Sequence, residues 1–396
     1  MLQLVFGRSG YGKTEYIRNR IADKIDRGET QLLLITPEQY SFISEYSLLE
    51  QLGEARAHAV RCLSFSRLCD ECDRLYGADG RKPLTKGGKA ILMKTAIDQV
   101  RPDLELFEKK GSSAAFVQSM TGIYDEMKSC NLSGAAVYAA ADDLDTDILR
   151  CKMRDFSRIM TAYEALLGDR FADPANRLTR LYDQIKDQNY FAGQTVFLDG
   201  FNGFVAQEYK ILERIIAEAK AVYIALDSDS FGTGDGYDLF AYVNETAGIL
   251  QRIADKAGVP TNALQLGENC RTDYADLRRV EQYIFADQAP ETEIPAEHIR
   301  LYAASTVTDA CNDLALQIKG LLRCGYRAGE IAVTMRDREK YAPVLASAFE
   351  KYGVPYYADE RQPVTAQPIL VFPMYLMRSV IYGWRSDDLF SLIKTG

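Results

Sequence analysis

The apolar run Leu2 to Phe6 stops at Gly7-Arg8-Ser9-Gly10-Tyr11-Gly12-Lys13-Thr14, and this octapeptide constrains the fold more than any other stretch of the chain. It matches G-x-x-x-x-G-K-[ST], a pattern in which a strand ends, a glycine-rich loop turns and a helix begins. Glycines let the backbone fold tightly, so that successive N–H groups point inward at phosphate oxygens while the new helix adds the positive end of its dipole. The flanks agree with that mechanism. In EYIRNRIADKIDRG, Ile17, Ile21 and Ile25 share one helical face, Gly28 stands near the C-terminal end, and QLLLIT follows as a strand. Residues 1–36 therefore predict the first unit of a parallel α/β sheet. In such a loop Lys13 is expected to reach the β and γ phosphates of ATP, and the Thr14 hydroxyl to complete the shell of a Mg²⁺ ion. The plain alternative is a glycine turn with an exposed lysine.

A P-loop also needs a carboxylate at the end of a neighbouring strand to hold Mg²⁺ through water. TVFLD, residues 195–199, offers Asp199, which otherwise serves only to cap the next turn. In an active ATPase of this type a glutamate usually follows that aspartate and orients the attacking water. Here the next residue is Gly200, so nucleotide is expected to bind better than it is cleaved. Glu208 is a substitute base by position, or an acid placed for the dipole of the helix it begins.

Farther along, the pattern shifts to helices with few strand-like runs over residues 62–190, which predicts a helical insertion into the sheet. Strand character resumes at TVFLD, a helix follows with Ile211, Leu212, Ile215 and Ile216 on one side, and AVYIALD reads as the next strand. QAPETEIPAEH, residues 288–298, has linker composition. Beyond it the order repeats as strand IRLYAAS, a helix from about Thr308 to Leu322, strand EIAVTMR, and a helix from about Glu339 to Tyr352. The predicted division is a P-loop domain over 1–61 and 191–290, the insertion over 62–190, and a second α/β domain over 291–396. The final DDLFSLIKTG lies in or just after a helix with no closing strand, so the natural chain is expected to continue.

Composition excludes rather than selects. Hydrophobic residues at 47% and charged residues at 26% describe a globular chain. A net charge of −9 gives no global attraction to nucleic acid or anionic membrane, so any such contact must come from a local basic groove. The 8 cysteines are not set at framework spacings, which favours a reducing cytoplasm, and no apolar run is clean enough to span a bilayer. Two histidines, His58 and His298, leave no room for histidine-rich metal sites. Cys69-Asp-Glu-Cys72 is a single C-x-x-C without a second pair, the spacing of ordinary helical cysteines more than of a metal site.

Five stretches together resemble the AddB (RexB) subunit of bacterial AddAB-type ATP-dependent helicase–nucleases, relatives of superfamily 1 helicases. They are GRSGYGKT, TPEQYSF at 36–42, LSFSRL at 63–68, LDGFNGFVAQEY at 198–209, and IAVTMRDREKYAPVLASAFEKYGVPYYADE at 331–360. The resemblance implies a RecA-like P-loop domain with a helical insertion and the start of a second RecA-like domain. It implies ATP and Mg²⁺ as ligands, an AddA-type helicase–nuclease partner, and DNA, as a single strand or duplex end, as substrate. It places a nuclease domain with an iron–sulfur cluster beyond Gly396. Arg336 matches the position from which an arginine approaches the γ phosphate, unless it pairs with Asp337 or Glu339 on the surface.

The departures point away from a working motor. Gly200 stands where the catalytic glutamate is usual, and LDSDSF (226–231) replaces the GDxxQ-type motif that senses γ phosphate. Tyr11 replaces a small residue, so its ring must point out of the loop or cover the nucleotide. The short stretch before Gly7 leaves no adenine-reading glutamine. Tyr40, Phe42 and Phe65 are candidates for stacking on a single strand, against an ordinary place in the core. A degenerate motor acting as nucleotide-binding scaffold and DNA channel is the leading reading. The others are a free-standing P-loop kinase or ATPase, though no arginine-rich lid is evident, and a structural P-loop module that never touches DNA.

Overall fold

In the computed structural model, which describes residues 1–78, 80–108, 113–229, 239–286, 291–358 and 367–395, Leu2–Gly7 forms strand β1 and Lys13–Asp26 forms helix α1. Strand β2 (Leu32–Ile35), helices α2 (Ser41–Leu52) and α3 (Glu54–Ala57), strand β3 (Val60–Leu63) and helix α4 (Phe65–Tyr76) follow. After a helical stretch come β6 (Thr195–Leu198), α10 (Ala206–Glu218), β7 (Ala221–Asp227), α11 (Ala241–Lys256), β8 (Thr261–Gln265) and α12 (Ala275–Tyr283). Six strands join in one sheet ordered β3-β2-β6-β7-β1-β8, every pair parallel.

Why these runs became strands is visible in their burial. β2 and β6 are buried at every position, as only strands covered on both faces can be, and their sequences are correspondingly unbroken in apolar character. Alternate residues feed two cores. Leu2, Leu4, Phe6, Leu33, Ile35, Val196, Leu198, Val222, Ile224 and Leu226 pack with α4, α10 and α11 on one face. Leu32, Leu34, Phe197, Ala221, Tyr223 and Ala225 meet Ile17 and Ile21 of α1 and Leu48 and Leu52 of α2 on the other. The result is a three-layer sandwich whose loops at the carboxyl ends of β1, β6 and β7 share one edge.

Between β3 and β6 the chain is mainly helical: α5 (Lys86–Val100), α6 (Ala114–Ser129), α7 (Gly134–Ala141), α8 (Asp147–Leu167) and α9 (Arg177–Ile185), with the two-residue strands β4 (Lys82–Pro83) and β5 (Phe171–Ala172) paired in parallel. Residues from Leu84 to Leu167 make a core of their own around Met93, Tyr124, Phe156 and Tyr163. Two helices of the stretch belong elsewhere: Leu68, Cys69 and Cys72 of α4 and Leu181 and Ile185 of α9 bury into the sheet core. Lys89 is buried within the helical layer because Asp125 and Asp173 both pair with its ammonium, and the Tyr163 hydroxyl donates to Asp173 at 2.6 Å.

The chain divides into two compact units, Met1–His298 and Ile299–Gly396. In the second, α13 (Val307–Arg323) and α14 (Arg338–Tyr352) form close to where the periodicity puts them, followed by α15 (Pro368–Ile381) and α16 (Ser386–Ile393). Cys311, Ala315 and Ile318 of α13 pack on Leu345, Ala348 and Phe349 of α14. The expected strands IRLYAAS and EIAVTMR do not form: both runs are unpaired. Ile331, Val333 and Met335 still turn one half-buried side toward this core, so the period-two pattern has correctly marked a face. A ladder also needs a neighbouring edge, and none pairs with these runs among the described residues. No helix among the described residues is long and apolar enough to cross a membrane.

Candidate functional site

The loop after β1 adopts the conformations its glycines permit. Gly10 has φ 90° and Gly12 φ 79°, values that a side chain disfavours, and Gly12 stands immediately before α1. No side chain caps that helix, and its first internal bond runs from Tyr16 N–H to Gly12 C=O at 2.8 Å. The N–H groups of Lys13, Thr14 and Glu15 thus have no intrahelical acceptor, and they face the carboxyl edge of the sheet.

A cleft of 610 Å³ opens there, lined among others by Ser9, Gly10, Gly12, Lys13, Thr14, Arg18, Asp199, Asp227 and Arg271. The Lys13 ammonium donates to the carbonyls of Gly7 at 2.7 Å and Arg8 at 2.9 Å and pairs with Asp227. Asp227 ends β7, in register with Gly7 of β1. This corrects one expectation: β6, which ends just before Asp199, is not the neighbour of β1, because β7 lies between them. Asp199 reaches the site across that strand and lines the cleft together with Thr14. Burial pushes the Asp199 carboxyl up, against the opposing pull of Thr14, the Gly200 N–H, Arg18 and Lys13.

Gly200 follows at φ 82°, and a Cβ there would come 3.4 Å from Cδ of Pro37. Glu208 is no substitute base. Its carboxylate accepts the Val205 N–H at 2.9 Å, capping α10, and it lines a separate groove with Glu38, Lys89 and Arg177. Tyr11 points out of the loop, since its hydroxyl donates to Glu281 Oε2 at 3.3 Å. Arg8 is likewise drawn outward, to Glu281, Gln282 and Asp229. Arg271 donates to the Ser9 hydroxyl at 3.4 Å, and Cys270 N–H to the Gly10 carbonyl at 2.8 Å. The site residues from Gly7 to Thr14 and Asp199 are therefore assembled in one place. Arg336 lies exposed in the second unit, on the unpaired run before α14 and not at a strand end.

Asp227, Arg271 and Glu281 were not singled out by sequence reasoning. For Asp227 a signal existed, because AVYIALD ends in an acid just as TVFLD does. Arg271 and Glu281 follow polar TNALQ and sit in charged surroundings where no period stands out. Of LDSDSF, Ser230 and Phe231 lie outside the described residues, as do 288–290 of the linker and 359–360 of the last quoted motif.

The TPEQYSF and LSFSRL stretches meet through Glu38, which accepts from the Ser64 hydroxyl at 2.8 Å and the Ser66 N–H at 3.1 Å. Burial raises the Glu38 carboxyl, but these bonds outweigh it and hold the group below its ordinary range. Of the three aromatic candidates, Tyr40 and Phe42 are exposed, and Tyr40 lines the cleft. Phe65 is 6% exposed and packs edge-on to Phe201, so it is a core residue. Cys69 and Cys72 are buried thiols, each pushed up to about 12 chiefly by burial. Among the described residues no group of three or more His, Cys, Asp or Glu is arranged to hold a metal ion.

Chemically, the cleft offers uncapped amides and three cations to an anion, and a hydroxyl–carboxylate pair to a divalent cation. The family profile described as "ADDB, N-terminal" matches residues 4–281. The chain is 27% identical over 407 residues to the B subunit of the ATP-dependent helicase/deoxyribonuclease of Clostridium botulinum (strain Langeland), covering 100% of this chain and 35% of that protein. Proteins of the same name from Clostridioides difficile and Thermoanaerobacter sp. are 28% and 25% identical, again over 100% of this chain and 35% of theirs. The chain thus spans about a third of the length of these relatives.

Proposed function

This chain belongs to the AddB N-terminal family, and from that premise we propose that it is the nucleotide-holding, motor-like part of a helicase–deoxyribonuclease subunit. In this reading the sheet unit is a RecA-like P-loop domain, residues 62–190 are its helical insertion, and residues 291–396 begin a second such domain. The observation that carries it is the meeting, at one sheet edge, of an uncapped helix start, Lys13, and the Thr14–Asp199 pair.

The donor set fits ATP with Mg²⁺. The amides around Gly10 to Thr14 would hold phosphate oxygens, Lys13 would exchange the Gly7 and Arg8 carbonyls and Asp227 for phosphate, and Arg18 and Arg271 would add positive charge. Thr14 and Asp199 would hold the metal, whose charge neutralises the phosphate tail. Among the described residues neither Gly200 nor Glu208 supplies a base beside Asp199: Gly200 has no side chain, and Glu208 is occupied as a helix cap. Nucleotide occupancy without rapid turnover is the expected behaviour.

The names of the relatives support one subunit of a DNA-acting helicase–nuclease; beyond them, we propose an AddA-type partner and action on DNA double-strand breaks during recombinational repair in the cytoplasm. This part would serve as scaffold and DNA channel, with Tyr40 and Phe42 available to a single strand. The nuclease centre and iron–sulfur cluster belong, in this proposal, to the part of the relatives that this chain does not span. Arg336 is the proposed γ-phosphate contact from the second domain.

Equilibrium titration with a fluorescent ATP analogue and Mg²⁺ tests the reading. Lys13→Ala should weaken binding about 10- to 100-fold, the loss of a charge-assisted contact. Unchanged affinity in the variant would overturn it. Filter binding with single-stranded DNA at low salt separates this role from a structural module, which would retain no DNA.

A further inference from the structure

Arg8 and Tyr11 are the two bulky side chains of the loop, and both end on one residue outside it. The Tyr11 hydroxyl donates to Glu281 Oε2 at 3.3 Å, and Arg8 Nη1 lies 3.4 Å from Glu281 Oε1. The same Nη1 donates to the backbone carbonyls of Glu281 at 3.2 Å and Gln282 at 3.3 Å. Those carbonyls belong to the last turn of α12, whose final C=O groups have no intrahelical partner, so Arg8 caps that helix. Arg8 Nη2 adds a contact to Asp229 at 3.5 Å, and the Phe240 ring covers the guanidinium at 5.3 Å. With side chains 17% and 24% exposed, Arg8 and Glu281 are largely shielded from water, which strengthens their attraction.

The arrangement matters because of where the loop has space. A Cβ on Gly7 would stand 3.1 Å from Cβ of Tyr11, so the tyrosine already lies as close to the loop as glycine allows. Without the Glu281 carboxylate the Tyr11 hydroxyl loses its bond and Arg8 loses an ion-pair partner, while Gly10 and Gly12, on either side of Tyr11, line the cleft.

We propose that Glu281 is a positioning residue for the phosphate loop, a clamp on α12 that holds Arg8 and Tyr11 outward and keeps the loop amides open to phosphate. The proposal rests on the nucleotide-binding reading for its consequence, but the clamp itself is testable without nucleotide. Its immediate effect is on the loop: the Tyr11 N–H, bonded to the Arg8 carbonyl at 3.1 Å, and the Cys270 N–H, bonded to Gly10, report whether the loop stays folded.

The experiment is hydrogen exchange at those two amides in the nucleotide-free chain, with ATP-analogue affinity measured on the same samples. Glu281→Ala should speed both amides about tenfold and weaken ATP about tenfold, with the melting temperature close to that of the parent. Glu281→Gln keeps one acceptor and should fall between, a rescue that general destabilisation would not give. Tyr11→Phe with Glu281→Ala should be no worse than Glu281→Ala alone, since the Tyr11 hydroxyl acts through its bond to that carboxylate. Parental exchange in Glu281→Ala, or losses that add in the double variant, would overturn the clamp. Faster exchange in a chain whose parent binds no ATP would uphold the clamp and sink the nucleotide reading instead.

Discussion

The exits of β1 and β6 lie on the same edge of one sheet and are built differently. After β1, two glycines at positive φ, an uncapped helix and a lysine are fixed by contacts from β7, α12 and the segment before α12. After β6, one half-buried aspartate lines the cleft with Thr14, and Gly200 places no side chain beside it. The first exit holds many preorganised groups and the second holds one. On the proposed reading, holding a phosphate tail and cleaving it are separable demands on this fold, and the groups after β1 answer the first.

The comparison breaks most readily at Gly10. Its φ of 90° and the 2.9 Å approach that a Cβ would make to Cβ of Arg271 leave no room for a side chain. Gly10→Val should cost about 2–3 kcal/mol of stability and remove ATP binding, measured by chemical denaturation and titration. A variant that binds as the parent does would show that the loop is not a cradle.

A smaller effect is expected at the other exit, and its sign is informative. Burial raises the Asp199 carboxyl, so the folded state holds that proton more tightly than the unfolded state. The stability this confers is present at acid pH and is lost as the pH rises through the raised value. At neutral pH Asp199→Asn should then be at least as stable as the parent, while its Mg²⁺ requirement for nucleotide binding weakens about tenfold. In the parent, Mg²⁺-dependent binding should fail on acidification at a pH above the ordinary aspartate range. Equal Mg²⁺ dependence in parent and variant would remove Asp199 from the site.

The smallest effect tests a link outside the cleft. Glu38→Gln keeps the shape but loses charge on bonds to Ser64 and Ser66, and should cost about 1 kcal/mol in urea denaturation. The Glu38 carboxyl is held low, so its contribution is present above the unfolded pKa and is lost as pH falls through the folded value. A parent and variant that differ equally at every pH would contradict this.

What the sequence makes legible follows the hydrophobic pattern. Strands buried on both faces, such as LLLI and TVFL, are continuous apolar runs, and the loop between β1 and α1 carries its own chemistry in its glycines. The edge strand β8 escapes notice because TNALQ is mostly exposed, and α12 because ADLRRVEQY buries only Asp276. Asp227 is visible as the acid that ends AVYIALD, but its place beside Lys13 is not, since nothing in the chain says that β7 would come between β6 and β1. Phe65 misleads in the other direction. Following the cap residue Ser64, it enters the sheet core with the first turn of α4. IRLYAAS and EIAVTMR have the alternation of strands but, among the described residues, no edge to pair with, a condition that lies outside the run itself.

The central claim, a phosphate cradle without a hydrolytic partner, is tested most directly by measuring ATP turnover by this chain under conditions where ATP binding is saturated, with and without single-stranded DNA. The account predicts saturable Mg²⁺-dependent binding with turnover that stays slow when DNA is added. Rapid hydrolysis stimulated by DNA would contradict it.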